Sequence, residues 1–148
     1  MKSVLVVCVG NICRSPVGER LLRAHLAADG VRVESAGLGA VVGHGADDTA
    51  SAVAADNGLS LEGHIARQFT AELGSQYELI LVMEPGHKAE VTRRAPQLSG
   101  RTMLFDQWTG AKGIQDPYRR SREFHEAVFA RISEAAAEWV KRWPGRRA

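Results

Sequence analysis

Five residues separate Cys8 from Arg14 in the stretch VLVVCVGNICRSP, residues 4–16, and these two side-chain types invite phosphate chemistry. An arginine is a planar fork able to grip two phosphate oxygens at once. A cysteine in its thiolate form is a nucleophile. Between them, Gly10 and Asn11 are residue types that tolerate positive φ. The run Val9, Gly10, Asn11, Ile12, Cys13, Arg14 and Ser15 is therefore expected to curl with successive N–H groups pointing inward. Such a nest, at the amino end of a helix, favours an anion. The same electropositive setting stabilises a thiolate, which on the floor of the cradle is aimed at phosphorus. The Ser15 hydroxyl is close enough in sequence to hydrogen-bond the sulfur, and it can equally cap the helix; the two roles are compatible. A lone cysteine at a strand end is usually a small buried hydrophobe. The strand before it, the Gly-Asn pair and the Ser-Pro-helix after it favour the chemical reading.

The elements that must position this loop are legible from periodicity. SVLVVC (3–8) is a continuous apolar run, the pattern of a strand buried on both faces of a parallel sheet. Ser15 and Pro16 read as an N-cap followed by proline at the first helical position. Val17, Leu21, Leu22 and Leu26 then form the apolar stripe of a helix from about 16 to Asp29, stopped by Gly30. VRVESAG (31–37), YELILVM (77–83) and RTMLF (101–105) read as further strands, and 47–57 and 86–94 as helices. A long last helix carries Phe124, Val128, Ile132, Ala135, Trp139 and Trp143 at intervals of three or four. Strand alternates with helix throughout, which predicts a single α/β domain, residues 1–148, with a doubly wound parallel sheet of four strands flanked by helices. Ligands of such sheets sit beyond the carboxyl ends of the strands, where Cys8 lies.

Displacement at phosphorus also needs an acid to protonate the leaving group and then a base to activate water. Asp116 sits in the loop after the last strand, on the ligand side, and the proline that follows holds it extended. Read alone, an Asp-Pro pair is more often a turn.

CVGNICRS (8–15) resembles the signature loop of the low-molecular-weight protein tyrosine phosphatases. SAG (35–37), GHIARQ (63–68) and DPY (116–118) are similar to the family's other fixed points, in the same order. ESAGLGAVVGHGAD and DPYRRSREF look closest to the bacterial branch paired with tyrosine autokinases of exopolysaccharide export. The resemblance implies a flavodoxin-like fold and a metal-independent, cofactor-free phosphatase with Cys8 as nucleophile, Arg14 as phosphate ligand and Asp116 as general acid. It also implies that Ser35 and His64, with Asn11, support the loop through hydrogen bonds. Ile12 favours phosphotyrosine, since phosphoarginine-directed relatives carry threonine there. Tyr118 is the aromatic wall expected to stack on the substrate ring, and Val41 forms the opposite wall, where many eukaryotic members have a large aromatic. The implied partner is a phosphotyrosine protein, an autokinase tail, met by a monomer.

Composition sets the remaining bounds. A net charge of +2, with basic residues spread along the chain, does not suggest a nucleic-acid surface, and the basic end KRWPGRRA reads as a solvated terminus. No apolar run reaches the roughly 18 residues of a membrane span. The apolar start runs into the loop without a cleavage site, so it reads as a core strand, and two cysteines suggest a reducing, cytoplasmic setting. Cys8 and Cys13 lack the second pair a zinc site needs. His25 is expected at the surface, His44 and His87 in a loop or helix start, and His125 on the exposed side of the long helix. An arsenate reductase on the same fold is the rival enzyme, although no cysteine lies outside the loop to relay electrons. A flavodoxin-like nucleotide-binding protein, with no chemistry at the loop, is the other alternative.

Overall fold

All six side chains of β1 (Ser3–Cys8) are buried, because the strand is paired on both edges and covered on both faces. In the computed structural model, which describes residues 1–145, β1 pairs in parallel with β2 (Arg32–Gly37) and with β3 (Leu79–Val82). Outside β3 lies β4 (Thr102–Leu104), also parallel, giving the order β2-β1-β3-β4. Arg146, Arg147 and Ala148, the last residues of the expected solvated terminus, lie outside the described residues.

Alternation along β1 divides the core in two. Val4 and Val6 join the layer containing α1 (Arg14–Leu26) and α5 (Arg122–Lys141). Leu5 and Val7 join Ile80, Val82, Leu98 and Val91 of α4 (Pro85–Arg94) on the other face. Each such aliphatic side chain contributes roughly 1.5–3 kcal/mol on full burial. The layer of α1 and α5 also takes α2 (Asp48–Asp56), which packs on α5. Periodicity announces neither the single helical turn α3 (Ala71–Gly74), which Thr70 caps by accepting from the Leu73 N–H, nor the 3-10 helix Pro96–Arg101.

The chain leaves β1 towards β2 on one side and returns to β3 on the other, so the strand order reverses at β1. Cys8 ends that strand, at the crevice where α/β sheets take ligands.

Three sequence expectations are corrected. Ser15 is not the N-cap: α1 already begins at Arg14 and its cap residue is Cys13, without a side-chain cap bond. The loop runs directly into the helix, which leaves the Ser15 hydroxyl free for the sulfur. The same helix ends at Leu26 and is followed by a 3-10 turn to Asp29, closed by Gly30 at φ 76°. His125 is only 3% exposed, because α5 buries a second face against α2, where the ring lies beside Ala50, Val53 and Pro117. The apolar stripe of α5 is otherwise as expected, with Trp143 buried just beyond its last turn.

Candidate active site

Every carbonyl from Cys8 to Ile12 is turned outward and held. They accept in order from Leu38 N (2.9 Å), Gly39 N (3.0 Å), Val41 N (3.0 Å), His64 Nε2 (2.6 Å) and Asp47 N (2.8 Å). In a trans peptide the N–H points opposite to the carbonyl it follows, and the described residues contain no cis bond. The N–H groups of Val9, Gly10, Asn11, Ile12 and Cys13 therefore face the concave side, which makes the anion nest. Of the two residues expected to supply positive φ, only Asn11 does, at 59°. Gly10 keeps ordinary geometry. The glycine that the loop cannot do without is Gly37 of β2, where an added Cβ would overlap the Val9 carbonyl oxygen.

Below the nest a chain of polar side chains is fully buried. Cys8 Sγ lies 2.9 Å from Ser15 Oγ. Asn11 Nδ2 donates to Ser15 Oγ (2.7 Å) and to Ser35 Oγ (3.0 Å). Arg67 N donates to Asn11 Oδ1 (3.0 Å), and Arg67 Nε to the Ser35 carbonyl (3.0 Å). His64 and Ser35 thus stand on Asn11, as the resemblance implied. Arg67 and Glu19, which accepts from Ser35 at 3.0 Å, complete the set and are residues that sequence reasoning missed. Both cysteines are free thiols; burial, then Asp47 and then Cys8 push the Cys13 thiol far up, so it stays protonated.

Arg14 is 2% exposed and is anchored before any ligand arrives. Its Nη1 donates to Glu84 Oε2 (2.6 Å) and to the Ile114 carbonyl (2.6 Å). Nη2 lies 3.9 Å from Asp116 Oδ2, so the phosphate ligand and the candidate acid share one mouth. Asp116 is held by an Asx turn, its Oδ1 accepting from Tyr118 N at 3.0 Å. Glu84 was missed, yet it carries the same signal as Asp116. It is an acidic residue at the carboxyl end of a strand, extended (φ −142°, ψ 152°) before a proline. His87, in the first turn of α4 as expected, is buried and lies 3.3 Å from Glu84 Oε2.

The Ile12 and Val41 side chains flank Gly10 of the loop. Ile12 is half-buried, while Val41 and Tyr118 are exposed. Val9 and Val42 are also exposed. The Arg119 guanidinium lies over the Tyr118 ring at 5.2 Å and steadies it.

A thiol at the floor of an N–H nest, with an anchored guanidinium and a carboxylate at the mouth, defines a phosphate-processing α/β protein with a cysteine nucleophile at hand. The chain belongs to the family described as low molecular weight phosphotyrosine protein phosphatase, whose sequence model matches residues 3–144. Among its relatives, the low molecular weight protein-tyrosine-phosphatase Etp of Escherichia coli K12 is 55% identical over 140 residues, covering 95% of this chain and 93% of Etp. The structure of the tyrosine phosphatase Wzb from Escherichia coli K30 in complex with sulphate superposes with a TM-score of 0.92 at 48% identity, covering 95% of this chain and 97% of that one. Vibrio vulnificus Wzb in complex with benzylphosphonate gives 0.91 at 48% identity, covering 95% and 98%.

Proposed function

We propose that this protein hydrolyses phosphotyrosine in proteins through a phosphocysteine intermediate. The observation that carries the reading is the placing of Cys8 Sγ beneath the nest, with Arg14 and Asp116 converging on the same opening. Cys8 Sγ attacks phosphorus; the S–P bond forms as the P–O bond to the tyrosine oxygen breaks. The nest N–H groups and the free edge of Arg14 hold the equatorial oxygens and stabilise the charge developing on them. Asp116 gives its proton to the departing phenolate. It then takes one from the water that attacks phosphorus, and the S–P bond breaks to return the thiolate and release phosphate.

Ile12, Tyr118 and Val41 form the walls of a slot that suits an aryl ring on the phosphate. That Vibrio vulnificus Wzb takes benzylphosphonate supports an aryl group in the same place. We assign a tyrosine autokinase tail as the substrate and exopolysaccharide export as the process it serves. The support is the likeness of ESAGLGAVVGHGAD and DPYRRSREF to that bacterial branch, together with similarity to Etp and Wzb. The protein then acts as a cytoplasmic monomer; no helix among the described residues is long and apolar enough to cross a membrane. Arsenate reduction is disfavoured because both cysteines lie in one loop.

Hydrolysis of an aryl phosphate at mildly acidic pH, with chelator present, tests the reading on wild type, Cys8→Ser and Asp116→Ala. Turnover is expected to vanish in the first variant and to fall about 10²–10⁴-fold in the second. Rapid quench of the wild type should trap phosphoenzyme. An inert wild type sinks the proposal.

A further inference from the structure

Two guanidinium groups stand beside the mouth without an ionic partner. Arg119 and Arg120 follow Tyr118 directly and are exposed. Arg119 lies over the Tyr118 ring at 5.2 Å, and Arg120 over the Phe124 ring at 4.3 Å. Among the described residues neither pairs with a carboxylate, whereas Arg122 is held by Asp56 and Glu126, and Arg131 lies beside Asp106. The backbone adds a second observation. Arg120 N donates to the Pro117 carbonyl at 2.9 Å and closes the turn 117–120, in which Arg119 takes the third position at φ 61°. Turns favour glycine in this left-handed region, where an L side chain is strained. An arginine thus stands where the backbone alone would choose glycine, the kind of outlier that marks functional positions.

We propose that Arg119 and Arg120 form a subsite for acidic side chains, so that the protein prefers a phosphotyrosine flanked by glutamate or aspartate. The proposal rests on the phosphotyrosine reading of the mouth. An aromatic face holds a guanidinium by its flat side and leaves its N–H edge free. That edge matches a carboxylate through two parallel hydrogen bonds. The turn follows Asp116 directly and carries Tyr118 itself, so residues flanking a phosphotyrosine seated against that ring pass the two guanidinium groups. The carboxylates already at the mouth do not oppose this. Glu84 is engaged by Arg14 at 2.6 Å, and Asp116 carries a proton when it acts as acid.

Exposed ion pairs are individually weak. The subsite therefore sorts among phosphotyrosine sites, while the nest and Arg14 supply the common affinity for phosphate. Two such pairs amount to about a five- to tenfold preference at low ionic strength. Merely steadying the Tyr118 and Phe124 rings would change the binding of acidic and neutral peptides alike. The ratio between the two peptides separates these roles.

The experiment compares peptides centred on phosphonomethyl-phenylalanine, the non-hydrolysable counterpart of phosphotyrosine, with glutamate or with glutamine on both sides. Affinity is read by fluorescence anisotropy, which requires no turnover. Wild type should bind the glutamate peptide about five- to tenfold more tightly at low ionic strength. The ratio should fall below about twofold in about 1 M salt. Arg119→Gln combined with Arg120→Gln should bring it to about one, and Arg119→Glu combined with Arg120→Glu should invert it. Arg119→Gly, which suits the backbone of the turn, should keep Tm within a few degrees of wild type and still lower the ratio by about two- to threefold. Lys141→Gln, at the far end of α5, removes the same charge and should leave the ratio unchanged. A wild-type ratio near one, or a ratio that survives the double glutamine substitution, overturns the proposal. Selectivity for phosphoserine at the flanking positions without selectivity for glutamate would assign the arginines to a second phosphate and overturn it too. Glutamate preference in binding, with no hydrolysis of the matching phosphotyrosine peptide, would count against the phosphatase reading alone.

Discussion

Arg14 Nη1 uses both its protons on Glu84 and the Ile114 carbonyl, which leaves Nη2 and Nε facing the mouth. The guanidinium is thus pre-positioned before a phosphate arrives, and a ligand need not bear the cost of ordering it. Lysine has no such fork: its ammonium cannot hold Glu84, the Ile114 carbonyl and two phosphate oxygens together. Arg14→Lys should therefore lower kcat/KM for an aryl phosphate on the order of 10²–10³-fold. The far-ultraviolet spectrum and the rate of Cys8 alkylation at alkaline pH should stay close to wild type. A loss under about tenfold in the steady-state assay would mean that the nest alone binds phosphate. Glu84, whose Oε2 meets Arg14 and the His87 ring, has its value in orientation; as a half-exposed ion pair it adds little to stability.

At the scale of elements, the nest depends on how closely β2 approaches the loop. Cys8 stands opposite Gly37 in the β1–β2 register, and the segment after Gly37 supplies N–H groups to the carbonyls of Cys8, Val9 and Gly10. Gly37 also accepts Phe69 N (2.8 Å) and donates to the Arg67 carbonyl (2.9 Å), so it pins the 64–68 segment to the same edge. A methyl group at Gly37 would drive Val9 away and unseat all of these. Gly37→Ala should cost roughly 1–3 kcal/mol, several degrees of Tm for a chain of this size, and weaken inorganic phosphate as a competitive inhibitor. Gly39→Ala is the control: its Cβ would meet nothing nearer than Val9 Cγ1 at 4.0 Å. Equal thermal shifts in the two variants would remove the close-approach argument.

Over the whole molecule, the site is a place where two buried layers meet, and His87 registers this. The ring lies in α4, beneath Glu84, with Nδ1 buried and unpartnered. Burial, then the Arg14 charge, hold its pKa below the ordinary 6.5, against the opposing pull of Glu84 and Asp116. In the unfolded chain the ring takes a proton as pH falls through about 6.5, whereas the folded protein resists until a lower pH. Stability from this residue is thus complete above about pH 6.5 and is lost as pH falls through the folded-state value. Differential scanning calorimetry from pH 8 to 4.5 should show Tm of the wild type falling more steeply below 6.5 than that of His87→Gln. Parallel curves would show that His87 is not the group responsible.

Sequence by itself determined the strand, the loop and the helix that hold Cys8, Arg14 and Ser15, because these lie within one local run. Strand burial is written in an uninterrupted apolar stretch, and a phosphate loop in Gly-Asn followed by an arginine. The sheet was also legible, since strand and helix periods alternate without interruption. Where local cues misled, packing decided: His125 read as exposed because polar spacing on α5 cannot announce a second burying neighbour, α2. Ser15 read as a cap because Ser-Pro is a helix-start signal whether or not a thiol waits beneath. Glu84, Glu19 and Arg67 became site residues only through tertiary structure, while Ser35 and His64 were named by family resemblance and not by any local spacing. They arrive from segments up to 70 residues from the loop atoms they touch. No local spacing encodes such a meeting; it follows from parallel strands whose carboxyl ends, and the loops they release, gather on one edge of the sheet.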